Sequence, residues 1–519
     1  MTGAPAIRRA RPVLVLGLGL VMLGLVFHAE IASAIKVWLA STAYNHCFLI
    51  LPMALFLAWQ RRGRLARFPL RPTALALPAA AVLGAVWFVA DRLGVMEGRQ
   101  LVAMGFVELL FLSVLGWALY GAMAAPLLYL LFLVPFGGFL VSPLQSFTTQ
   151  FVVHGLDVIG VPNFVTGNDI EIPEGTFRIA QACAGLRFLI AATAFSVFYA
   201  CVIYRSVWRR VLFILVSLFV PVIANGFRAL GIVWLGHVLG SARAAATDHV
   251  LYGYLFFSIV LFLLILLGLL FRQDQMPPAV DSEWPRPAAR KAPGSQRRSV
   301  VPAAAVVVLA ALFPLLAANI DRAAAATRLA VPASFPGCVS SPGFVAPSGL
   351  APRGEVVRHF ACGDDSVALT IAVFPPRSDP RFVIDSLQAF SGQDAGEVEM
   401  STLRVAAAVP EDWQLVVIRT PPAATVSALW IDGKPAAGDL RTRLRQALNS
   451  VLGGRYAPLV VSIRVAGPPA EAEGKLASFL AAGGAPPSFL AQLASPLTPP
   501  EVALSSGDAP GQTSRRAEQ

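Results

Sequence analysis

The chain has 519 residues, of which 56% are hydrophobic and only 14% charged, with a net charge of +11 at neutral pH. A soluble domain carries about 25% charged residues, so this composition excludes an ordinary soluble enzyme. The basic excess does not point to nucleic acid either: Lys and Arg sit in short clusters between apolar runs, where they set membrane topology.

Apolar runs recur through the first 320 positions, most of them long enough to cross a hydrocarbon core about 30 Å thick. In chain order, spans are expected at about 12–28, 46–60, 73–90, 101–120, 123–141, 183–203, 211–236, 250–271 and 300–319. With the N-terminus inside, seventeen Lys and Arg residues fall on the cytoplasmic side and five on the outer connections between spans one and eight. That asymmetry fixes the orientation, and an odd number of spans places everything after residue 320 outside. The start of the chain also resembles a cleavable signal peptide, with Arg8, Arg9 and Arg11 before an apolar stretch and Ala32-Ser33-Ala34 after it. Either reading leaves the side faced by each later loop unchanged.

The outer segment 142–182 interrupts the bundle. Ser142 to Gly160 has the pattern of an interfacial helix, with Phe147, Phe151, Val152 and Leu156 on one side. Alternation from Val165 to Ala180 around Pro173-Glu174-Gly175 predicts a β-hairpin leading to Cys183. After the last span, Val367–Phe374, Trp413–Thr420, Ser427–Ile431 and Leu459–Val465 have strand character. Residues 439–452 predict an amphipathic helix with Leu440, Leu444, Ala447, Leu448 and Val451 on one face. The expected organisation is a membrane domain over 1–272, a cytoplasmic linker over 273–299, an anchor over 300–319, a small α+β domain over 320–468 and a weakly structured tail over 469–519. The fold class is therefore an all-α polytopic membrane bundle of about eight helices, plus a ninth transmembrane anchor and a small exported α+β domain. Cys338 and Cys362 are the two cysteines of that domain and candidates for a bridge. Cys201, among apolar neighbours, reads as a small buried hydrophobe.

Three residues on the outer side carry the candidate chemistry. Arg228 is the only charged residue between Val211 and Gly236, and an intramembrane charge is costly enough to suggest function, although an Arg that snorkels or caps a neighbouring helix would look the same. Asn225 lies one turn earlier on the same face, beside Gly226. Cys183 is expected in the first turn of the sixth span, where the helix dipole and Arg187 one turn on would favour a thiolate. A cysteine in an apolar helix is otherwise usually inert packing. His249 follows Thr247 and Asp248, either of which suits a helix N-cap, and a Cys–His pair is the minimum for an activated thiol with a proton shuttle. A single His at an interface is commonly just an interfacial polar residue; the coincidence of three on one side outweighs that. The sequence lacks a Gly-x-Ser-x-Gly elbow, a His-Glu-x-x-His motif, a phosphate loop and a dinucleotide fingerprint, so it asks for no cofactor and no metal.

Cys183-Ala184-Gly185-Leu186-Arg187, Ala224-Asn225-Gly226-Phe227-Arg228-Ala229 and Asp248-His249 followed by Tyr252-Gly253 resemble the three motifs of the exosortases, multi-pass bacterial transpeptidase-like proteins related to the archaeosortases. The resemblance is strongest over 140–272 and weaker before it, where Tyr44-Asn45-His46 and Trp59-Gln60-Arg61-Arg62 match loosely. It implies an inner-membrane cysteine protease or transpeptidase facing the periplasm. Its substrates would be exported proteins tethered by a C-terminal sorting signal: a Val-Pro-Glu-Pro-like motif, a transmembrane helix and a basic cluster. It implies Cys183 as nucleophile, His249 as acid/base and Arg228 as the group that orients the thiolate or stabilises the oxyanion, with Arg187, Asn225 and Asp248 in support. Membrane lipid surrounds it, no nucleic acid is involved, and the exopolysaccharide machinery is an expected partner. The region after residue 300 is similar to the exosortase-associated domain of exopolysaccharide loci. The rival reading is a membrane component of exopolysaccharide transport or polymerisation, or a scaffold for it, in which Cys183 has no chemical role.

Overall fold

Helix α1 (Ala4–Val26) exposes Leu14, Leu18 and Leu25 and buries Leu23. That two-sided apolar pattern suits a helix with lipid on one flank and protein on the other. The computed structural model describes residues 4–68, 70–240, 249–274, 300–325, 329, 337–340, 356–362, 367–391, 398–406, 408, 410–419, 421–454 and 456–482. After α1 come α2 (His28–Ala40), α3 (Cys47–Gln60), α4 (Arg62–Arg67), α5 (Ala76–Leu93), α6 (Met96–Ala122), α7 (Ala124–Tyr129) and α8 (Val141–Ile159). A small antiparallel sheet follows, β1 (Phe164–Thr166), β2 (Asp169–Ile172) and β3 (Gly175–Arg178), then α9 (Leu186–Ile203), α10 (Val207–Val238), α11 (His249–Leu270) and α12 (Val300–Ala325).

Five of the described helices, α5, α6, α9, α10 and α12, are long and apolar enough to cross a membrane; two bent pairs raise the number to seven if each is one span. Helix α3 and the Leu255–Leu270 part of α11 are apolar but shorter. The expected fifth span, 123–141, is not one straight helix. It breaks into α7, a 3-10 turn at Leu130–Leu133 and another at Gly138–Leu140 before α8, with a bend of 66°. Pro135 lacks an N–H for helix continuation, and Gly137 at φ 123° adopts a backbone that side chains disfavour.

Charge is also built into this part of the chain. Arg99 Nε donates to Glu30 Oε1 at 2.8 Å, Arg99 Nη1 pairs with Asp91 Oδ1 at 3.0 Å, and Trp87 Nε1 donates to Glu30 Oε1 at 3.2 Å. All four side chains are buried, so each charge depends on the others for compensation.

The chain divides into two compact units, one running to Leu315 without Arg92–Gly94, the other comprising Arg92–Gly94 and everything from Leu316. The second contains an eight-stranded sheet: β4 (Cys338–Ser340), β5 (Val356–Cys362), β6 (Val367–Val373), β7 (Val398–Arg404), β8 (Asp412–Arg419), β9 (Pro422–Ile431), β10 (Lys434–Ala436) and β11 (Leu459–Ala466). The order is β4-β5-β6-β11-β9-β8-β7, with β10 beside β9, and every pairing is antiparallel. Alternation places Leu369, Ile371 and Val373 in one core and Ala372 in another across the sheet. Helix α13 (Pro380–Ser391) packs on the second face. Helix α15 (Pro469–Ala481), beyond the domain end expected at 468, buries Ala472, Leu476 and Leu480 in the first. Cys338 and Cys362 are register partners and form a disulfide.

Helix α14 (Leu440–Leu452), N-capped by Asp439 through Thr442 N at 2.9 Å, departs from the expected packing. Of its expected apolar face only Ala447 is buried; Leu440, Leu444, Leu448 and Val451 are exposed. Its inward side is polar because Gln446 Nε2 donates to the carbonyls of Pro376 (3.1 Å) and Ser378 (2.8 Å), tying the helix to the loop after β6.

Candidate active site

The segment before Cys183 is held from two sides. Gln145 on α8 donates to the carbonyl of Ile179, and Thr149 on the same helix donates to Asn168 Oδ1 at 3.2 Å in the β1–β2 turn. The sheet itself is anchored on α10: a Cβ at Gly236 would lie 2.3 Å from the Phe177 ring, so the ring sits directly on the helix backbone. His237 Nδ1 next to it lies 2.9 Å from Glu174 Oε2, and this contact holds the Glu174 carboxyl below its ordinary range.

Cys183 is not in the first turn of α9, as its sequence position suggests. It ends a 3-10 turn, Gln181–Cys183, and α9 starts only at Leu186 after Gly185. Gly185 interrupts the helix at φ 82°, and a Cβ there would lie 2.7 Å from Asn225 Cγ. This residue must therefore be glycine on both conformational and steric grounds. The thiol is unbridged and partly buried. With Cys183 off the helix, the expected one-turn relation to Arg187 does not hold, and Arg187 is brought near the site by another route.

That route runs through α10. Asn225 Nδ2 donates to the Cys183 carbonyl at 2.9 Å and reaches Thr148 Oγ1 at 3.3 Å. Asn225 Oδ1 accepts from Arg228 Nη2 at 3.2 Å and Nε at 3.3 Å. Arg228 is only 1% exposed, and no described carboxylate lies among its partners. Its guanidinium and that of Arg187 approach the same ring, with Cζ atoms 5.8 and 4.7 Å from the Phe188 centroid. A Cβ on Gly253 of α11 would lie 3.4 Å from Arg228 Nη1 and 4.0 Å from Arg187 Nη2. Cys183, Asn225, Arg228 and Arg187 are thus brought together, with the first turns of α11 against the guanidinium pair.

His249 opens α11, one turn before Gly253; its side chain, and the whole of Asp248, lie outside the described residues. Gln145 and Thr148 escaped the sequence reading, since single polar residues on an amphipathic helix have no pattern of their own. Beside them, a cavity of about 460 Å³ between α8 and the β1–β2 turn is lined by Thr149, Gln150, His154, Asp157 and Asn168 among others. Among the described residues no three His, Cys, Asp or Glu side chains cluster as metal ligands.

A bundle of apolar helices with a buried arginine linked through Asn225 to the backbone carbonyl of an unbridged cysteine, and with a second buried polar cluster at Glu30, Asp91 and Arg99, defines a multi-pass membrane protein. Residues 38–266, less than half of the chain, match the family model of transmembrane exosortases, which supports an exosortase-type membrane protein. No curated protein and no solved structure matches the chain.

Proposed function

We propose that the chain is a membrane cysteine peptidase or transpeptidase that cleaves the C-terminal sorting signal of exported proteins at the periplasmic face of the inner membrane, in support of exopolysaccharide production. The observation that carries this reading is the hydrogen-bond chain from the Cys183 carbonyl through Asn225 to buried Arg228. Cys183 as thiolate attacks the scissile carbonyl carbon. The oxyanion so formed is stabilised by the Arg228 guanidinium, whose charge no described carboxylate cancels. Collapse forms a thioester and expels the amine, which takes from His249 the proton that Cys183 gave it; water or an acceptor amine then attacks the thioester, passes a proton to His249 and releases Cys183. Arg187, Asn225 and Asp248 support the reacting groups. A substrate tethered by its own helix reaches the site by lateral diffusion, which raises its effective concentration.

The test is processing in cells of a tagged substrate ending in a Val-Pro-Glu-Pro-like motif, an apolar helix and a basic tail. Cys183→Ala should abolish cleavage at unchanged membrane levels, and Arg228→Ala and His249→Ala should each lower it at least about 100-fold. Undiminished cleavage with Cys183→Ala would remove the nucleophile and return the chain to the glycan-handling reading.

A further inference from the structure

Helix α14 is amphipathic the wrong way round for a helix that only covers a sheet. Its buried side carries Thr442, Gln446 and Ser450, each hydrogen-bonded: Thr442 Oγ1 to Asp439 Oδ1 at 2.8 Å, Gln446 to the 376–378 carbonyls, and Ser450 Oγ to the Ala447 carbonyl at 2.7 Å. Its outer side carries Leu440, Leu444, Leu448 and Leu452 at 64, 51, 59 and 71% exposure, with Val451 at 37%. The spacing of four makes this one continuous stripe along the whole helix. A contiguous apolar stripe left in water marks a surface that something covers.

Charge and chain length say what covers it. Arg441 and Arg445 are exposed and fall within the same outward arc as Leu448 and Leu452. A helix that presents leucines with interspersed arginines matches the boundary between acyl chains and anionic headgroups. A second copy of the same face would set arginine against arginine, which disfavours self-pairing. The unit that carries the helix is also tethered to an apolar helix long enough to cross a bilayer. Apolar α12 ends at Ala325 and β4 begins at Cys338, a connection that reaches at most about 45 Å.

We infer that α14 is a membrane-docking helix, which lays its Leu440–Leu444–Leu448–Leu452 stripe into an anionic phospholipid surface with Arg441 and Arg445 on the headgroups. The second unit is thereby held against the membrane by two attachments, the α12 tether and the α14 face. Neither attachment draws on Cys183 or Arg228, so the inference stands apart from the proposed peptidase activity.

The experiment uses the full chain in single-copy nanodiscs of phosphatidylcholine alone or with about one-third phosphatidylglycerol. An environment-sensitive fluorophore is attached at Leu448→Cys in a Cys47→Ala/Cys183→Ala/Cys201→Ala background, with Lys475→Cys, at an exposed position of α15, as the control. The Leu448→Cys probe should shift to the blue in anionic discs and the Lys475→Cys probe should not. Arg441→Glu/Arg445→Glu should lower the docked-to-free ratio about 30-fold or more, at roughly fivefold per lost cation. Raising salt should reverse the shift in the chain with both arginines intact, which tests the same contact without a charge-reversal variant. No shift in anionic discs, an equal shift in neutral discs, or a shift that appears only at high protein concentration in detergent would each overturn the inference.

Discussion

Gly253 sets how closely α11 can approach Arg228. A methyl group there would touch Nη1 at 3.4 Å, an ordinary contact, whereas a longer side chain would have to occupy the space of the guanidinium itself. Gly253→Ala is therefore expected to keep near-normal processing, and Gly253→Leu to lose it at unchanged membrane abundance. Equal activity of the two variants, measured on the same tagged substrate, would show that this approach does not matter. The residue types at the centre were legible in the sequence, because a lone arginine in an apolar helix and a cysteine beside small residues stand out against their surroundings. Their connection was not. Asn225 reaches the Cys183 carbonyl across 42 positions, a contact decided by how α10 packs on α9. The turn that takes Cys183 off α9 depends on Gly185, whose left-handed conformation no local pattern announces.

The β1–β3 sheet is the element that delivers the chain to Cys183, and its attachment to α10 is partly electrostatic. Glu174 is held below the ordinary carboxylate range by His237, so in that window the free state binds more protons than the clamped state. The carboxylate side of the clamp is therefore complete above the ordinary glutamate value of about 4.3 and is lost as pH falls through the lowered one. Hydrogen exchange over residues 169–178, corrected for intrinsic rates, should show protection falling between about pH 6 and about pH 3 in the parent. Glu174→Gln should show weaker protection at the higher pH and little further change. An identical pH response in both would assign the loosening to other groups. The hairpin was legible from alternation around Pro173-Glu174-Gly175; β1 was not, being a three-residue strand defined only by its partner β2.

At the scale of the whole molecule, the sheet of the second unit reads directly from sequence where both its faces are mostly buried, as in Val367–Val373 and Leu459–Ala466, since such strands are apolar but for Thr370, Ser462 and Arg464. Strands β5 and β7 mix charged and polar residues into their runs and carry no such signal. The Cys338–Cys362 bridge ties the short first strand to its neighbour over a separation of 24 residues, which corresponds to about 3 kcal/mol of loop entropy. Cys338→Ser/Cys362→Ser should lower the melting temperature of this unit by about 5–10 °C in calorimetry, and addition of reductant should do the same to the parent. An unchanged transition would mean that the strand pair holds without the bridge. The broken segment after α7 marks the opposite limit: hydropathy finds an apolar stretch at 123–141 but does not register that Pro135 and Gly137 divide it.

The Glu30–Arg99 pair imposes a timetable on synthesis. The two residues are 69 positions apart, so a ribosome adding about 5–20 residues per second makes the acid roughly 3 to 14 seconds before the base that neutralises it. Through that interval α2 carries a carboxylate without its counter-ion, in a chain already being threaded towards lipid. Glu30 must stay hydrated at the bilayer edge or be kept in the insertion machinery until α6 emerges, so the first six helices settle as a group rather than one by one.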